Sequence, residues 1–395
     1  MNKKTIHDQN LADQRVLIRV DFNVPLDEDQ VSDDTRITAA VPTIKAILAQ
    51  KPRSVILMSH LGRPKGEVKP EFSLKPVVAV LAEKLGCDVA FAEDCIGDEV
   101  ESAAASLPDG GVLLLENTRF HSEERNNDPD FAKKLASLGD VFVNDAFGTA
   151  HRAHASSAGI TAYLPALAGL LMEKEITFLA KVIESPESPF VAILGGAKVS
   201  DKIDVIENLL GKADLILIGG GMANTFFKAQ GIAVADSLVE KDAIATAKDL
   251  LSRSEGRLLL PVDVVIADNF SPDANHKTIS ITEGVPDGWR ILDIGAGAVE
   301  AFSEHLNTAK TIIWNGPMGV FEFDNFAVGT FKLADAVVDA TEAGAVTIIG
   351  GGDSAAAVRK AGLSDRVTHV STGGGASLEL LEGKILPGLN ALNDK

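Results

Sequence analysis

One unit recurs along nearly the whole chain. A short apolar run ends in a glycine or polar turn, and a stretch with helical spacing of apolar residues follows. Such βα alternation predicts parallel sheets covered by helices on both faces, because a parallel connection needs a helix-sized crossover. In the first half the predicted strands are 15–20, 54–58, 88–91, 111–115 and 140–143. In the second half they are 190–194, 214–218, 311–314, 346–349 and 367–370. The 395 residues are too many for one ordinary domain. Glycine is abundant, at 35, and aromatics make up 5%, which suits parallel sheets with tight turns.

Between the two groups of strands, 167–184 reads as one long helix with apolar Leu170, Leu171, Ile176, Phe178, Leu179, Val182 and Ile183. Ser185-Pro186-Glu187-Ser188-Pro189 then breaks it, since proline fixes φ and lacks an amide donor. The expected fold class is therefore α/β: two Rossmann-like three-layer αβα domains with parallel sheets, joined by an interdomain helix and hinge. The expected boundaries are 1–184 for the N-terminal domain with its helix, 185–377 for the C-terminal domain, and 378–395 for a segment packing back on the first.

In open parallel sheets, ligands bind beyond the carboxyl ends of the strands. In the first half those ends carry Arg36, His60, Arg63, Arg119 and Arg152, with Asp21 and Asn23 after the first strand. Guanidinium groups match carboxylate and phosphate through paired donors. Such a set predicts a small, multiply charged anion, with Asp21 and Asn23 placed for a neutral hydroxyl. Any one arginine serves equally well as a surface ion-pair partner. Arg36, after Ser32-Asp33-Asp34, also fits the start of a helix, and His60 fits a satisfied loop histidine. The argument rests on their recurrence at one topological position.

The second half ends its strands differently, in Gly195-Gly196, Gly219-Gly220-Gly221, Asn315-Gly316-Pro317, Gly350-Gly351-Gly352 and Gly373-Gly374-Gly375. Glycine lets backbone approach a phosphate, and N–H groups at the next helix start complement its charge. Repetition of such turns predicts a nucleotide. Lys198 and Lys202, at i and i+4, would share a helix face toward the phosphates; the alternative is an exposed helix face. Asp353 is placed either to hold a metal on those phosphates or to cap the helix after Ser354. The common alternatives are missing: no G-x-x-x-x-G-K-[ST], no G-x-G-x-x-G at the first turn (Gly295-Ala296-Gly297 lacks the third glycine), no metalloprotease H-E-x-x-H and no protein-kinase catalytic loop.

The net charge of −19 argues against nucleic acid and anionic membrane surfaces as partners. Cys87 and Cys95 alone, in a chain this size, make neither a disulfide framework nor a zinc cluster. MNKKTIHDQN has no apolar run of signal-peptide type, and no stretch approaches the ~18 apolar residues of a membrane span. A cytoplasmic location is the expectation.

Longer segments carry a resemblance. Arg19-Val20-Asp21-Phe22-Asn23-Val24-Pro25, Ser59-His60-Leu61-Gly62-Arg63-Pro64, Glu116-Asn117-Thr118-Arg119-Phe120 and Asn144-Asp145-Ala146-Phe147-Gly148-Thr149-Ala150-His151-Arg152 mark the first half. Leu194-Gly195-Gly196-Ala197-Lys198-Val199-Ser200-Asp201-Lys202, Trp314-Asn315-Gly316-Pro317-Met318-Gly319-Val320-Phe321-Glu322, Gly350-Gly351-Gly352-Asp353-Ser354 and Ser371-Thr372-Gly373-Gly374-Gly375-Ala376 mark the second. From end to end the chain resembles phosphoglycerate kinases. That resemblance implies reversible phosphoryl transfer between 1,3-bisphosphoglycerate and ADP, giving 3-phosphoglycerate and ATP, by direct in-line transfer with hinge closure. A monomer is the expectation, because a moving hinge leaves less freedom for an interface.

The resemblance further implies that 3-phosphoglycerate meets Asp21, Asn23, Arg36, His60, Arg63, Arg119 and Arg152. Lys198, Lys202, Gly220, Asn315, Pro317, Glu322, Gly351, Gly352, Asp353 and Ser354 would meet the nucleotide, with Glu322 at the ribose and Asp353 at Mg2+. Arg36 and Lys198 would flank the transferring group with backbone at Gly352 and Gly374. Two departures stand out: Ser354 where many relatives have Thr, and the loop Gly295-Ala296-Gly297-Ala298. Two other classes remain to be weighed, an anion-clamping binding protein without chemistry and a dehydrogenase. The first leaves the glycine row unexplained, and the second lacks its fingerprint.

Overall fold

The computed structural model describes residues 2–395. The chain divides into two compact units, Met1–Thr177 with Ile385–Lys395, and Phe178–Lys384. The borders differ from 184/185 and 377/378, for two reasons: the helix Leu170–Glu184 is shared between the units, and the helix Gly374–Leu381 is kept whole. The helix Leu170–Glu184 starts on the first unit, where Leu170 N–H donates to Thr43 Oγ1 (3.0 Å) and Leu171 N–H to Asp145 Oδ1 (2.9 Å). From Phe178, whose ring stacks on His369 at 5.1 Å, it belongs to the second. The helix Gly374–Leu381 likewise runs through position 378, so the return begins at Ile385.

In the first unit the strands are β1 (Arg15–Arg19), β2 (Leu26–Asp27), β3 (Gln30–Val31), β4 (Ser54–Met58), β5 (Val89–Ala92), β6 (Gly111–Leu115), β7 (Val141–Asn144) and β8 (Ala166–Ala168). β2 and β3 form a small hairpin; the other six make a sheet of order β5-β6-β4-β1-β7-β8, parallel throughout. Val16, Ile18, Val55, Leu57, Val112 and Leu114 pack with Ile37, Ile44 and Ile47 of the helix Thr35–Leu48. The alternate residues Leu17, Ile56, Leu113 and Phe142 are buried too. With both faces covered, these strands read as continuous apolar runs. Each fully buried Leu, Ile or Val contributes about 1.5–3 kcal/mol over an exposed one.

β8 was not expected. The sequence reading starts the long helix at Leu167, so Leu167 and Ala168 fall in it, as helix propensity favours, but pairing with β7 overrides that preference. The C-terminal residues fasten beside it. Asn393 N–H donates to Ala166 O (3.0 Å), Asn393 Oδ1 accepts from Ala166 N–H (2.7 Å), and Gly388 N–H donates to Ala150 O (2.8 Å).

The second unit contains β9 (Phe190–Leu194), β10 (Leu215–Ile218), β11 (Leu258–Leu259), β12 (Asp263–Ala267), β13 (His276–Ser280), β14 (Arg290–Ile294), β15 (Thr311–Asn315), β16 (Val346–Gly350) and β17 (His369–Val370). Its main sheet has the order β11-β10-β9-β15-β16-β17 and is again parallel. Val191, Ile193, Ile312, Trp314 and Ile349 pack with Phe302, Leu306, Leu333 and Val337. A second, antiparallel sheet of order β13-β12-β14 was missed, because its flank His-Lys-Thr-Ile-Ser is largely exposed and carries no apolar alternation.

Both main sheets reverse their winding at one place. Connections leaving β1 run toward β5 and those leaving β7 run toward β8; in the second unit the same reversal lies between β9 and β15. The crevice outside the strand ends at such a point is where this architecture holds ligands.

Candidate active site

On the first unit, Arg63, Lys65, Arg119, Arg125, Arg152 and His154 line a cavity of about 530 Å³ with Pro64, Gly66, Ser122 and Asn126. No carboxylate lines it, in a chain of charge −19. Arg119 donates from Nη1 to Gly62 O (2.9 Å), while its buried Nε has no partner. Burial, then Arg19 and Arg152, lowers its pKa to about 10. Burial, then the charges of Arg119, Arg19 and Arg152, hold His154 down to about 3. The 3.8 Å approach of His154 Nδ1 to Glu124 Oε1 is therefore a contact of a neutral imidazole, not an ion pair. Glu124 instead accepts from Ser156 Oγ (2.6 Å) and Ser156 N–H (2.9 Å). The cavity is a positive cluster that an anion would relieve.

Of the anion residues picked from sequence, Arg63, Arg119 and Arg152 face this cavity. Asp21, Asn23, Arg36 and His60 do not line it; they lie just after β1 and β4 and at the start of the helix Thr35–Leu48. Arg36, second residue of its helix, pairs with Asp21 at 2.6 Å, so its helix-start and ion-pair roles coexist. Asn23 Oδ1 accepts from Gly62 N–H (2.8 Å) and fixes the loop that carries Arg63. His60 is buried and accepts at Nδ1 from Arg19 Nη2 (3.0 Å). Arginine has no acceptor, so the imidazole proton sits on Nε2. Burial and the Arg19, Arg119 and Arg36 charges push its pKa well below the usual value, keeping it neutral.

Arg19 was overlooked as a support. It is fully buried, donating from Nε to Ser156 Oγ (2.8 Å) and from Nη1 to Val20 O. A charged residue inside the run Val-Leu-Ile-Arg-Val was the available signal, because a buried guanidinium needs partners. Lys65, Arg125 and His154 were missed for the opposite reason: each lies beyond the strand-end position, on loops or a short helix that only folding brings round.

On the second unit two cavities adjoin. One, of about 570 Å³, is lined by Gly195, Lys198, Lys202, Asn315, Gly351, Gly352, Ser354 and Gly374 among others. The next, of about 480 Å³, is lined by Gly220, Leu238, Val264, Phe270, Met318, Val320 and Glu322 among others. Gly196, Ala197, Pro317 and Asp353 border both. The result is a trough, polar at one end and apolar at the other. Every nucleotide residue picked from sequence borders one part or the other.

Two glycines are obligatory here. A Cβ on Gly195 would overlap the Pro317 carbonyl, and Gly220 combines φ +66 with a Cβ that would lie 2.7 Å from Gly196 N. At the polar end the helices Gly352–Lys360 and Gly374–Leu381 start side by side, with Gly374's Cβ position 3.9 Å from Gly352 N. Their first N–H groups lack intrahelical acceptors and suit phosphate oxygens.

Three local readings need correction. Lys198 and Lys202 share no helix face: the helix begins at Ile203, and Lys202 caps it with φ −127 and ψ 0. They reach the same cavity from a loop that Glu240 ties down by accepting from Ser200 N–H (2.9 Å). Asp353 is not the cap of its helix; Gly351 holds that position and Asp353 sits in the first turn, where the helix dipole favours its charge. Ser354 has no free hydroxyl: Oγ donates to Gly350 O (2.9 Å) and accepts from Gly316 N–H (2.6 Å), stapling two glycine turns.

Lys202 donates to Asn315 Oδ1, and burial lowers its pKa to about 8. Asn315 Nδ2 is buried without a partner. At the Gly295–Ala298 turn, Asp263 of the same chain accepts from Gly297 N–H (3.0 Å) and Ala298 N–H (2.6 Å). The place a dinucleotide's pyrophosphate would take is filled, which removes the dehydrogenase reading there. Arg290, on the unexpected antiparallel sheet, also borders the apolar cavity and has a buried Nε without a partner.

What these sites supply is positive charge and oriented N–H groups, with the nearby histidines His60 and His154 held neutral and Asp353 suited to a hard cation. That is the equipment of an α/β phosphotransferase. Comparison with known proteins narrows the class. Residues 6–384 match the family model described as phosphoglycerate kinase, and the chain belongs to that family. A phosphoglycerate kinase of Chloroflexus aurantiacus is 58% identical over 400 residues, covering 100% of both chains, and a cytosolic one of Triticum aestivum is 58% identical over 99% of this chain and 98% of that protein. The phosphoglycerate kinase structure from Coxiella burnetii superposes with a TM-score of 0.90 at 42% identity, and that from Pyrococcus horikoshii with 0.86 at 34%, each covering 98% of both chains.

Proposed function

We propose that this enzyme transfers a phosphoryl group reversibly from 1,3-bisphosphoglycerate to ADP, giving 3-phosphoglycerate and ATP. The observation that carries the proposal is the pairing, in one chain, of a carboxylate-free arginine cavity with a glycine- and lysine-lined trough. The acid is held by Arg63, Arg119 and Arg152 with Asp21, Asn23, Arg36 and His60. The nucleotide lies in the trough, phosphates toward Lys198, Lys202 and the Gly351–Ser354 and Gly374 backbone. Its ribose lies toward Glu322 and its base against the apolar end beyond Pro317 and Gly220.

In the ATP-consuming direction the nucleophile is a carboxylate, ionised at neutral pH, so no general base is needed. Rate then depends on alignment and on positive charge around the transferring group. Arg36, Lys198 and the N–H groups at Gly352 and Gly374 supply that charge. The Asp353 carboxylate fits Mg2+ carried on the nucleotide phosphates, which adds further charge neutralisation when bound. Because the acid and nucleotide sites lie on separate units, the proposal includes hinge closure, which also keeps water from the acyl phosphate. It further includes a monomeric state and a cytoplasmic location. Cytosolic and chloroplastic relatives both exist, and no helix among the described residues is long and apolar enough to cross a membrane.

A coupled assay with 3-phosphoglycerate, ATP and magnesium tests the reaction. Turnover that is lost in Lys202→Ala supports it; a folded sample without turnover refutes it. X-ray scattering with and without both substrates tests closure, and an unchanged radius of gyration sinks that part.

A further inference from the structure

A cluster outside both sites has ligand chemistry of its own. Asp94 and Cys95 follow β5, and His121 follows the turn Thr118–Phe120 beyond β6. Asp94 Oδ1 accepts from Cys95 N–H at 2.6 Å and meets His121 Nε2 at 2.7 Å. One ligand atom from each of Asp94, Cys95 and His121 lies within 4.8 Å of the others. Cys95 is buried, while the side chains of Asp94 and His121 are 51% and 26% exposed, so the cluster opens to solvent on one side. The His121 ring packs on Phe131 at 5.3 Å, which limits its orientation.

We propose that Asp94, Cys95 and His121 form a binding site for a borderline-soft divalent cation of the zinc class, separate from the magnesium of the nucleotide. A thiolate, an imidazole and a carboxylate suit zinc; magnesium and calcium take oxygen ligands instead. Zinc bonds of about 2.0–2.3 Å place two tetrahedral ligand atoms about 3.3–3.7 Å apart. From an outer limit of 4.8 Å the thiol side of the cluster needs a contraction of about 1 Å, while the 2.7 Å Asp94–His121 contact opens by ~0.6–1 Å, both within reach of side-chain rotation. The ion takes the place of the hydrogen between His121 Nε2 and Asp94 Oδ1: the imidazole binds in its Nδ1–H form, and a proton displaced from Nε2 goes to solvent. Burial and the Asp94 charge hold the Cys95 thiol protonated, so binding forms an S–metal bond and releases that proton to solvent. Water completes the fourth position on the open side. The ion would tie the loop after β5 to the turn carrying Arg119, two residues from His121, and so stiffen one wall of the anion cavity.

The test uses the full-length, tag-free chain stripped with chelator and titrated with cobalt or zinc chloride. One cobalt per chain is expected, with a sulfur-to-cobalt charge-transfer band and visible bands of tetrahedral intensity. Cys95→Ser should abolish the charge-transfer band, and Cys87→Ser should leave it. His121→Ala should weaken zinc binding at least about tenfold, with zinc-free turnover unchanged; its partly exposed position keeps the fold intact if Cys95→Ser misfolds. Absence of the band, or zinc uptake indifferent to both Cys95→Ser and His121→Ala, overturns the proposal.

Discussion

The two units solve one problem, holding negative charge beyond the ends of a parallel sheet, by different means. The first uses side chains: arginines and a lysine crowd a cavity without carboxylates, supported by the buried Arg19 and neutral His60. The second uses backbone: glycine turns and two helix starts, with lysines added from a loop. Side-chain sites tolerate truncation, because the scaffold beneath is independent. Backbone sites do not, because the turns that bind are also the turns that pack. The Pro317 carbonyl against Gly195, and the Ser354 hydroxyl shared by two glycine turns, show that overlap.

The largest expected effect asks each unit for its cation. Arg36→Ala and Lys198→Ala should each lower kcat by about 10³-fold with smaller changes in KM, the low end of what such groups supply in phosphoryl transfer. Steady-state kinetics of both variants decides it; a loss confined to KM would demote the residue to substrate binding. Next comes the contrast of site types. Gly220→Ala should weaken nucleotide binding about 100-fold and cost about 2–4 kcal/mol of stability through strain and overlap. Arg63→Ala should raise KM for the acid about tenfold while the melting temperature stays put. Calorimetric titration and thermal melts on the pair would break the comparison if both variants melted alike.

Arg119→Ala should raise KM for the acid by roughly ten- to thirtyfold, the cost of a charge-assisted contact of about 1.5–2 kcal/mol. Inorganic phosphate should stabilise the wild type against heat and the variant less. Lys202 gives a pH signature confined to the second unit. Its folded pKa of about 8 means the side chain loses its charge as pH rises through 8, so nucleotide affinity should fall by up to about tenfold per unit above that, and Lys202→Arg should flatten the fall. Isothermal titration between pH 7 and 9 reads it.

The units agree in one feature, which acts on stability rather than on activity. Asp145 and Asp293, each buried, have pKa values raised from 3.8 to about 7 by burial. Between those values the folded state binds more protons than the unfolded, so their contribution to stability is present at low pH and is lost as pH rises from about 4 to 7. Asp293→Asn, which keeps the place where Gly329 N–H donates at 2.8 Å, should flatten that part of the pH–stability curve.

The fold was legible where period and length agreed. Strands buried on both faces, such as Ser54–Met58 and Phe190–Leu194, announce themselves as apolar runs closed by punctuation. Ala166–Ala168 was not legible, because three small residues carry no period. His276–Ser280 was not, because an exposed edge strand has no apolar face. The same rule governs the sites. Residues one step beyond a strand, like Arg63 or Lys202, could be found by topology, whereas Arg125 and Arg290 depend on where a short helix and a missed sheet are carried. Local rules also misled: spacing i, i+4 brought Lys198 and Lys202 together for a helix that starts after both.

Ile385–Lys395 completes the edge of a unit that the N-terminal residues begin. The chain therefore leaves its first unit unfinished while roughly 200 residues of the second are made. At about 5–20 residues per second, that interval on the ribosome is on the order of ten to forty seconds. During it, β8 waits without the Asn393 bonds that cover its flank, and the second unit is free to fold first. A chain whose N-terminal half is synthesised first thus holds residues 385–395 back as the closing stitch, and their removal is felt at the edge of the first unit's sheet.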